Sequence, residues 1–136
     1  MLKKRKPTTQ TSKFRSGLEE RIAQQLKDLG VSYDYETLTI HYTKPEEKGR
    51  YTPDFKLPNG IIVEGKGQFV TSDRKKHRQI RKEFGSKYDI RFVFSNSKQK
   101  IGKKSNTTYA NWCERYGFKY ADKEIPQQWI QEKNNA

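Results

Sequence analysis

Asp54, Glu64 and Lys66 lie in one short stretch, YTPDFKLPNGIIVEGKG, that runs from Tyr51 to Gly67. Two carboxylates held side by side repel unless a cation lies between them. Their hard oxygens suit Mg²⁺, which takes one or two carboxylates together with waters and phosphate oxygens. An ammonium beside such a cation adds positive charge against a phosphate or a water. Whether the three groups meet depends on how the stretch folds. Asp54 to Leu57 and Ile61 to Val63 are short runs around the turn residues Pro58, Asn59 and Gly60, the pattern of a β-hairpin. A two-residue Asn59-Gly60 turn would pair Pro58 with Ile61 and set Asp54 and Glu64 on opposite faces. A three-residue loop, with Pro58 leading a type I turn and Gly60 left-handed, pairs Leu57 with Ile61 and Asp54 with Glu64. Proline already has the φ that the first turn position needs, and as a paired residue it would remove a ladder donor, so the second register is expected. Phe55, Leu57, Ile61 and Val63 then form an apolar side, with Asp54, Glu64 and Lys66 on the other. The plain alternative is a solvated strand face with a surface ion pair, worth little.

Pro53-Asp54 followed by Glu64-Gly65-Lys66 resembles the P-D…(D/E)-x-K pattern of restriction-endonuclease-like nucleases. The segments FRSGLE (Phe14 to Glu19), YTPDF (Tyr51 to Phe55), LPNGI (Leu57 to Ile61) and DRKKH (Asp73 to His77) carry the likeness further. In order and spacing they resemble the bacteriophage endonuclease I family of four-way-junction resolvases, and the resemblance runs from about Phe14 to Ile130. It implies an α/β fold, a restriction-endonuclease-like mixed β-sheet flanked by helices, in an intertwined homodimer. It also implies Mg²⁺-dependent cleavage of branched double-stranded DNA by paired nicks, with Mn²⁺ substituting and no small-molecule cofactor. Asp54, Glu64 and the backbone carbonyl of Gly65 would hold metal, Lys66 would act beside them, and Glu19 would complete the catalytic set. Residues 43–50 would bridge two subunits, so that each active site joins both chains. Two departures stand out. A residue bulkier than glycine is expected at Gly65, and the long basic C-terminal extension of the family is missing.

Composition narrows the partner independently. The chain has 136 residues, the length of one domain, and 29 Lys and Arg against 16 Asp and Glu give a net charge of +13. Such an excess favours nucleic acid, through phosphate neutralisation and counterion release. A membrane partner is not expected, because no long apolar segment, signal peptide or lipidation motif is visible. Cys113 is the only cysteine, so no intrachain disulfide can form and a reducing cytoplasm fits, the host's if the chain is phage-encoded.

The surrounding elements must position the site. Residues 1–13 carry Lys3, Lys4, Arg5, Lys6 and Lys13 with almost nothing to bury. They read as a disordered basic arm, either a solubility tail or a segment that orders on DNA, ahead of a single domain over 14–136. Ser16 to Leu29 reads as a helix with Leu18, Ile22, Leu26 and Leu29 on one stripe and Gly30 at its end. Ser16 and Glu19 have capping-box spacing, which from spacing alone favours a cap role for Glu19; the resemblance reverses this. Tyr33 to Tyr42 reads as a strand whose apolar parity changes at a bend, and 43–50 as a polar loop where it is not a bridge. Thr71 to Phe84 reads as a helix capped by Ser72 or Asp73. Its Arg74, Lys75, Lys76 and Arg78 are expected on DNA phosphates with Arg15, and His77 beside a phosphate or on the surface. Asp89 to Phe94 is a strand. Lys98, Lys100, Lys103 and Lys104 form a basic loop, either on DNA or only mobile. Thr107 to Tyr116 is a helix with a Tyr109, Trp112, Cys113 and Tyr116 core stripe, and Ile125 to Ile130 makes a last helical turn. Two other functions use the same features: a sequence-specific restriction-type endonuclease, and a non-catalytic basic DNA-binding protein.

Overall fold

The computed structural model describes residues 13–43 and 48–133. Lys3, Lys4, Arg5 and Lys6 of the expected arm, and 44–47 of the expected bridge, lie outside the described residues.

Helix α1 (Gly17–Asp28) begins at Ser16, whose hydroxyl accepts the Glu19 N–H at 3.1 Å. The reciprocal half of the capping box is missing, because the Glu19 carboxylate accepts the Arg15 N–H at 2.9 Å. Leu18, Ile22 and Leu26 are buried. Leu29, expected to extend that stripe, is half exposed as the C-cap. Gly30 follows with φ +69°, a left-handed turn that suits glycine.

The segment expected as one bent strand is two. Glu36, at φ +54°, divides β1 (Asp34–Tyr35) from β2 (Ile40–Thr43), and the pieces join different sheets. β2 pairs antiparallel with β3 (Lys48–Tyr51), from Ile40 opposite Tyr51 to Thr43 opposite Lys48, so both ends of the 43–50 segment are strand rather than loop.

β4 (Phe55–Lys56) and β5 (Ile62–Lys66) pair Phe55 with Val63 and Lys56 with Ile62. The Leu57 N–H donates to the Ile61 carbonyl at 2.8 Å, the Gly60 N–H to the Leu57 carbonyl at 2.9 Å, and Gly60 has φ +92°. This is the three-residue loop, and its register carries Asp54 opposite Glu64. The turn is tied down from outside: the Asn59 amide donates to the carbonyls of Trp129 and Glu132 at 2.8 and 2.9 Å.

Helix α2 (Thr71–Phe84) has the expected span but a different start. Val70 is the N-cap and no side chain caps it, because Asp73 faces Lys66 instead. The chain continues through β6 (Ile90–Phe94), α3 (Tyr109–Tyr116), β7 (Tyr120–Asp122) and α4 (Gln127–Gln131). The main sheet runs β1-β4-β5-β6-β7, antiparallel through β5 and parallel beyond it, with α2 the crossover that a parallel pair needs. The expected mixed sheet with flanking helices is therefore present, extended by β7.

Alternation along β5 and β6 sends side chains into cores on both faces. Val63 and Val93 pack with Phe55, Leu57, Ile61 and the α1 stripe. Ile62 and Ile90 pack with Ile40, Tyr42, Tyr51 and Ile80 of α2. Phe92 and Phe94 join Phe69, Tyr109, Trp112, Cys113 and Phe118. Each such fully buried side chain contributes about 1.5–3 kcal/mol. The Arg91 guanidinium is also buried, hydrogen-bonded to both carboxylate oxygens of Asp89 and of Glu132.

His77 corrects the sequence reading. Expected beside a phosphate or on the surface, it is 1% exposed, edge-on to Tyr51 and Phe92 at 4.9 and 4.8 Å between ring centres. Burial, with Lys66 and Lys76 nearby, holds its imidazole well below the ordinary histidine range, so the ring is neutral. Neither ring nitrogen has a hydrogen-bond partner among the described residues. An unpaired buried polar group costs about 1–3 kcal/mol. His77→Phe keeps the aromatic packing and removes that penalty, so the variant is expected to melt higher by on the order of 1 kcal/mol in stability. A lower melting temperature would show that a ring nitrogen is paired after all.

Candidate active site

The site forms where the two faces of the sheet meet at its end. Glu64 and Lys66, two apart on β5, lie on the α2 side with Ile62. Glu19 comes from α1 on the other side. Asp54, at a bend just before β4, connects them. Glu19, Asp54 and Glu64 are all buried, a rare placement for three like charges.

Each carboxylate is held by specific donors. Glu64 Oε1 accepts the Tyr51 hydroxyl at 2.7 Å and, more weakly, the Asp54 N–H at 3.4 Å. Asp54 Oδ2 accepts the Gly65 N–H at 3.0 Å. Glu19 Oε1 accepts the Tyr35 hydroxyl at 2.6 Å as well as the Arg15 N–H. Lys66 Nζ lies 3.6 Å from Glu64 Oε2 and 3.5 Å from Asp73 Oδ2, between two carboxylates from different elements.

The electrostatics follow from that crowding. Burial, then the Glu64 and Glu19 charges, push Asp54 up to about 9, although the Gly65 N–H and Lys66 pull the other way. Burial also raises Glu64, against the attraction of Lys66, the hydrogen bonds from Tyr51 and the Asp54 N–H, and Lys76. Carboxyls held above their usual range release protons when a cation takes their place. Oxygens of Glu19, Glu36 and Asp54 lie within 4.8 Å of one another, close enough to share one ion. Hard oxygen donors in this number suit a divalent cation of the Mg²⁺ or Ca²⁺ kind.

Glu36 was not anticipated. Its N–H donates to the Asp54 carbonyl at 3.2 Å, and its carboxylate pairs with Arg15 at 3.1 Å. Tyr35, Tyr51 and Asp73 were likewise not singled out as site neighbours. Asp73 did leave a trace in the sequence, since Asp73, His77, Ile80 and Phe84 fall at i, i+4, i+7 and i+11, one inward stripe of α2. Gly65 has a packing role: a Cβ there would meet Ile22 Cδ1 at 3.3 Å and Leu18 Cδ2 at 3.6 Å, so glycine lets α1 bring Glu19 close.

The basic residues divide into two groups. Lys13, Arg15, Lys75, Arg78, Lys98, Lys100, Lys103 and Lys104 are exposed, while Lys76 is half-buried beside Tyr51. Arg74 is turned back onto its own chain, donating to the Phe69 carbonyl and to the Thr71 hydroxyl at 3.0 Å. An open groove of about 1020 Å³ runs along α2, lined by Lys75, Lys76, Arg78, Arg81 and Lys82 and, among the described residues, by no acidic side chain. Arg78 stacks on Tyr116 at 4.3 Å and Arg81 on Phe118 at 5.1 Å, which holds two of the guanidinium groups in place. Among the described residues no helix is long and apolar enough to cross a membrane.

Comparison with known proteins shows similarity over most of the chain. The family described as phage endonuclease I matches residues 1–136. Over 119 residues the chain is 49% identical to Endonuclease I of Escherichia phage T7, covering 88% of this chain and 79% of that protein. Over 124 residues it is 48% identical to Endodeoxyribonuclease 1 of Enterobacteria phage T3, covering 91% and 81%.

Proposed function

Because the chain belongs to the phage endonuclease I family, a family of DNA-cleaving phosphodiester hydrolases, we propose that it is a Mg²⁺-dependent endonuclease that resolves four-way junctions and other branched DNA by paired nicks, acting as a homodimer. The observation that carries this reading is the buried carboxylate cluster of Glu19, Asp54 and Glu64 with Lys66 beside it.

Asp54 and Glu64 would hold the cation, with the Gly65 carbonyl, Glu19 and Glu36 as further oxygen donors, and Mn²⁺ would substitute. A divalent ion there would supply positive charge to a phosphate oxygen and make a water more acidic. Lys66, restrained by Glu64 and Asp73, adds a second positive charge against the phosphate as negative charge builds on it. Burial of the cluster strengthens each of these interactions by lowering the local dielectric.

Backbone contacts come from the exposed cations and the α2 groove, whose first turn lies against Lys66. Arg81 and Lys82 join the set expected from sequence, and Lys3, Lys4, Arg5 and Lys6 supply the same charge from the N-terminal segment. Contacts of this type follow phosphate positions rather than bases, so selectivity rests on the shape of the junction.

The test is a fixed four-way junction beside linear duplexes of its arms, each with Mg²⁺ and with Ca²⁺. Cleavage confined to the junction and to Mg²⁺ is expected. Equal cutting of a linear arm at one sequence would mean a restriction-type enzyme, and tight binding without Mg²⁺-dependent cleavage would mean a non-catalytic DNA-binding protein.

A further inference from the structure

All three site carboxylates use their two oxygens differently. Glu64 Oε1 is taken by the Tyr51 hydroxyl and the Asp54 N–H, and Oε2 faces Lys66. Glu19 Oε1 is taken by the Tyr35 hydroxyl and the Arg15 N–H, and among the described residues nothing donates to Oε2. Asp54 Oδ2 is taken by the Gly65 N–H, and among the described residues nothing donates to Oδ1. Protein donors thus converge on one oxygen of each group, leaving the second oxygen of Glu19 and of Asp54 without a donor among the described residues and that of Glu64 beside the Lys66 ammonium.

The two shortest of these bonds come from tyrosines whose rings are fixed by packing. Tyr51 is 2% exposed, on β3, with His77 edge-on at 4.9 Å and Lys76 Nζ over its face at 5.8 Å. Tyr35, on β1, is wedged between Phe14 and Phe55 at 4.5 and 5.3 Å between ring centres. A ring that cannot turn presents its hydroxyl at one point.

We propose that Tyr35 and Tyr51 are positioning residues, which lock Glu19 and Glu64 through one oxygen each so that the second oxygen is set toward a divalent cation. This rests on the metal reading of the site given above. The physical reason is preorganisation. A carboxylate free to rotate must be ordered as the ion binds, whereas one already pinned needs no reorganisation. Outer partners of metal ligands typically govern about 10–100-fold in metal affinity or activity. A bystander hydroxyl that merely finds a nearby acceptor would leave metal affinity unchanged when removed.

The test uses the full-length protein without DNA. Mn²⁺ binding is measured by calorimetry for wild type, Tyr35→Phe, Tyr51→Phe and the double variant, with melting temperature and junction affinity in EDTA alongside. Each single variant is expected to bind Mn²⁺ about tenfold more weakly or worse, with the double variant weaker still. Junction affinity in EDTA should not change, and cleavage should recover at high Mg²⁺. Tyr35 is only partly buried, so Tyr35→Phe keeps the test decisive if Tyr51→Phe folds poorly. Wild-type affinity in folded variants would overturn the tyrosine assignment alone. A wild-type protein that binds no Mn²⁺ would overturn the metal reading, and this proposal with it.

Discussion

Asp54→Asn and Lys66→Ala proteins are expected to lose junction cleavage by about a thousandfold or more while binding the junction within roughly tenfold of wild type, about 1.4 kcal/mol. The two effects separate because different groups produce them. Asp54 is central to the buried cluster, where it meets both Glu64 and Glu19. An asparagine there keeps an oxygen for the Gly65 N–H but brings an uncharged amide to the place where a cation needs a carboxylate. Lys66 has its ammonium fixed between Glu64 and Asp73, and alanine removes that positioned charge. Binding depends on the many exposed cations elsewhere, each neutralising a phosphate. Asp54→Asn also serves as its own folding control. Burial and like charge push the wild-type carboxyl up to about 9, so without metal at neutral pH it is already uncharged, the amide replaces one neutral group with another, and this variant should melt no lower than wild type in EDTA. Gel shifts showing binding lost in step with cleavage, in folded protein, would refute the separation of roles.

What the sequence revealed depended on how local the cause was. The hairpin register was legible because Pro58 and Gly60 each admit few backbone angles, and the register then puts Asp54 opposite Glu64 without further information. The cap at Ser16 and the inward stripe of α3 were equally local. β7 was not legible: its three residues have no alternation of their own and are ordered by parallel pairing with Phe92 to Phe94, far away in the chain. Glu36 reaches the site only because β1 pairs with β4 and the chain takes a left-handed turn there, which propensity disfavours in a glutamate. His77 was misread because its neighbours in sequence are cations, although its spacing to Ile80 and Phe84 marked it as inward. The hydroxyl partners of Tyr35 and Tyr51 are tertiary facts, and alternation could at most say that Tyr35 faced the Phe55 side.

The second large effect concerns which chain supplies Glu19. Glu19, Tyr35 and Glu36 precede residues 44–47, and Asp54, Glu64 and Lys66 follow them. The two parts meet through β1 against β4, β2 against β3, the Gln25 side chain against the Ile125 backbone at 2.8 and 3.0 Å, and the Thr43 N–H donating to Glu83 at 2.8 Å. Every one of these contacts can form within one chain or between two copies exchanging their first parts, because a swap preserves the contacts and changes only the path of the connection. The proposed intertwined homodimer makes the exchange, so each site takes Glu19 from one chain and the hairpin from the other. A heterodimer of a Glu19→Ala chain with a Lys66→Ala chain then has one doubly damaged site, and another that joins the intact Glu19 of the second chain to the intact hairpin of the first. Both mutant homodimers are expected to be inactive, and the heterodimer to nick one strand of the junction. With sites built from single chains, both sites of the heterodimer would be damaged and no nick would appear. Exchange between finished intertwined dimers is slow, so the two chains should carry different tags, be co-expressed, and be purified as the mixed dimer. A mixed dimer that binds the junction yet nicks no more than either homodimer would show that each site belongs to one chain.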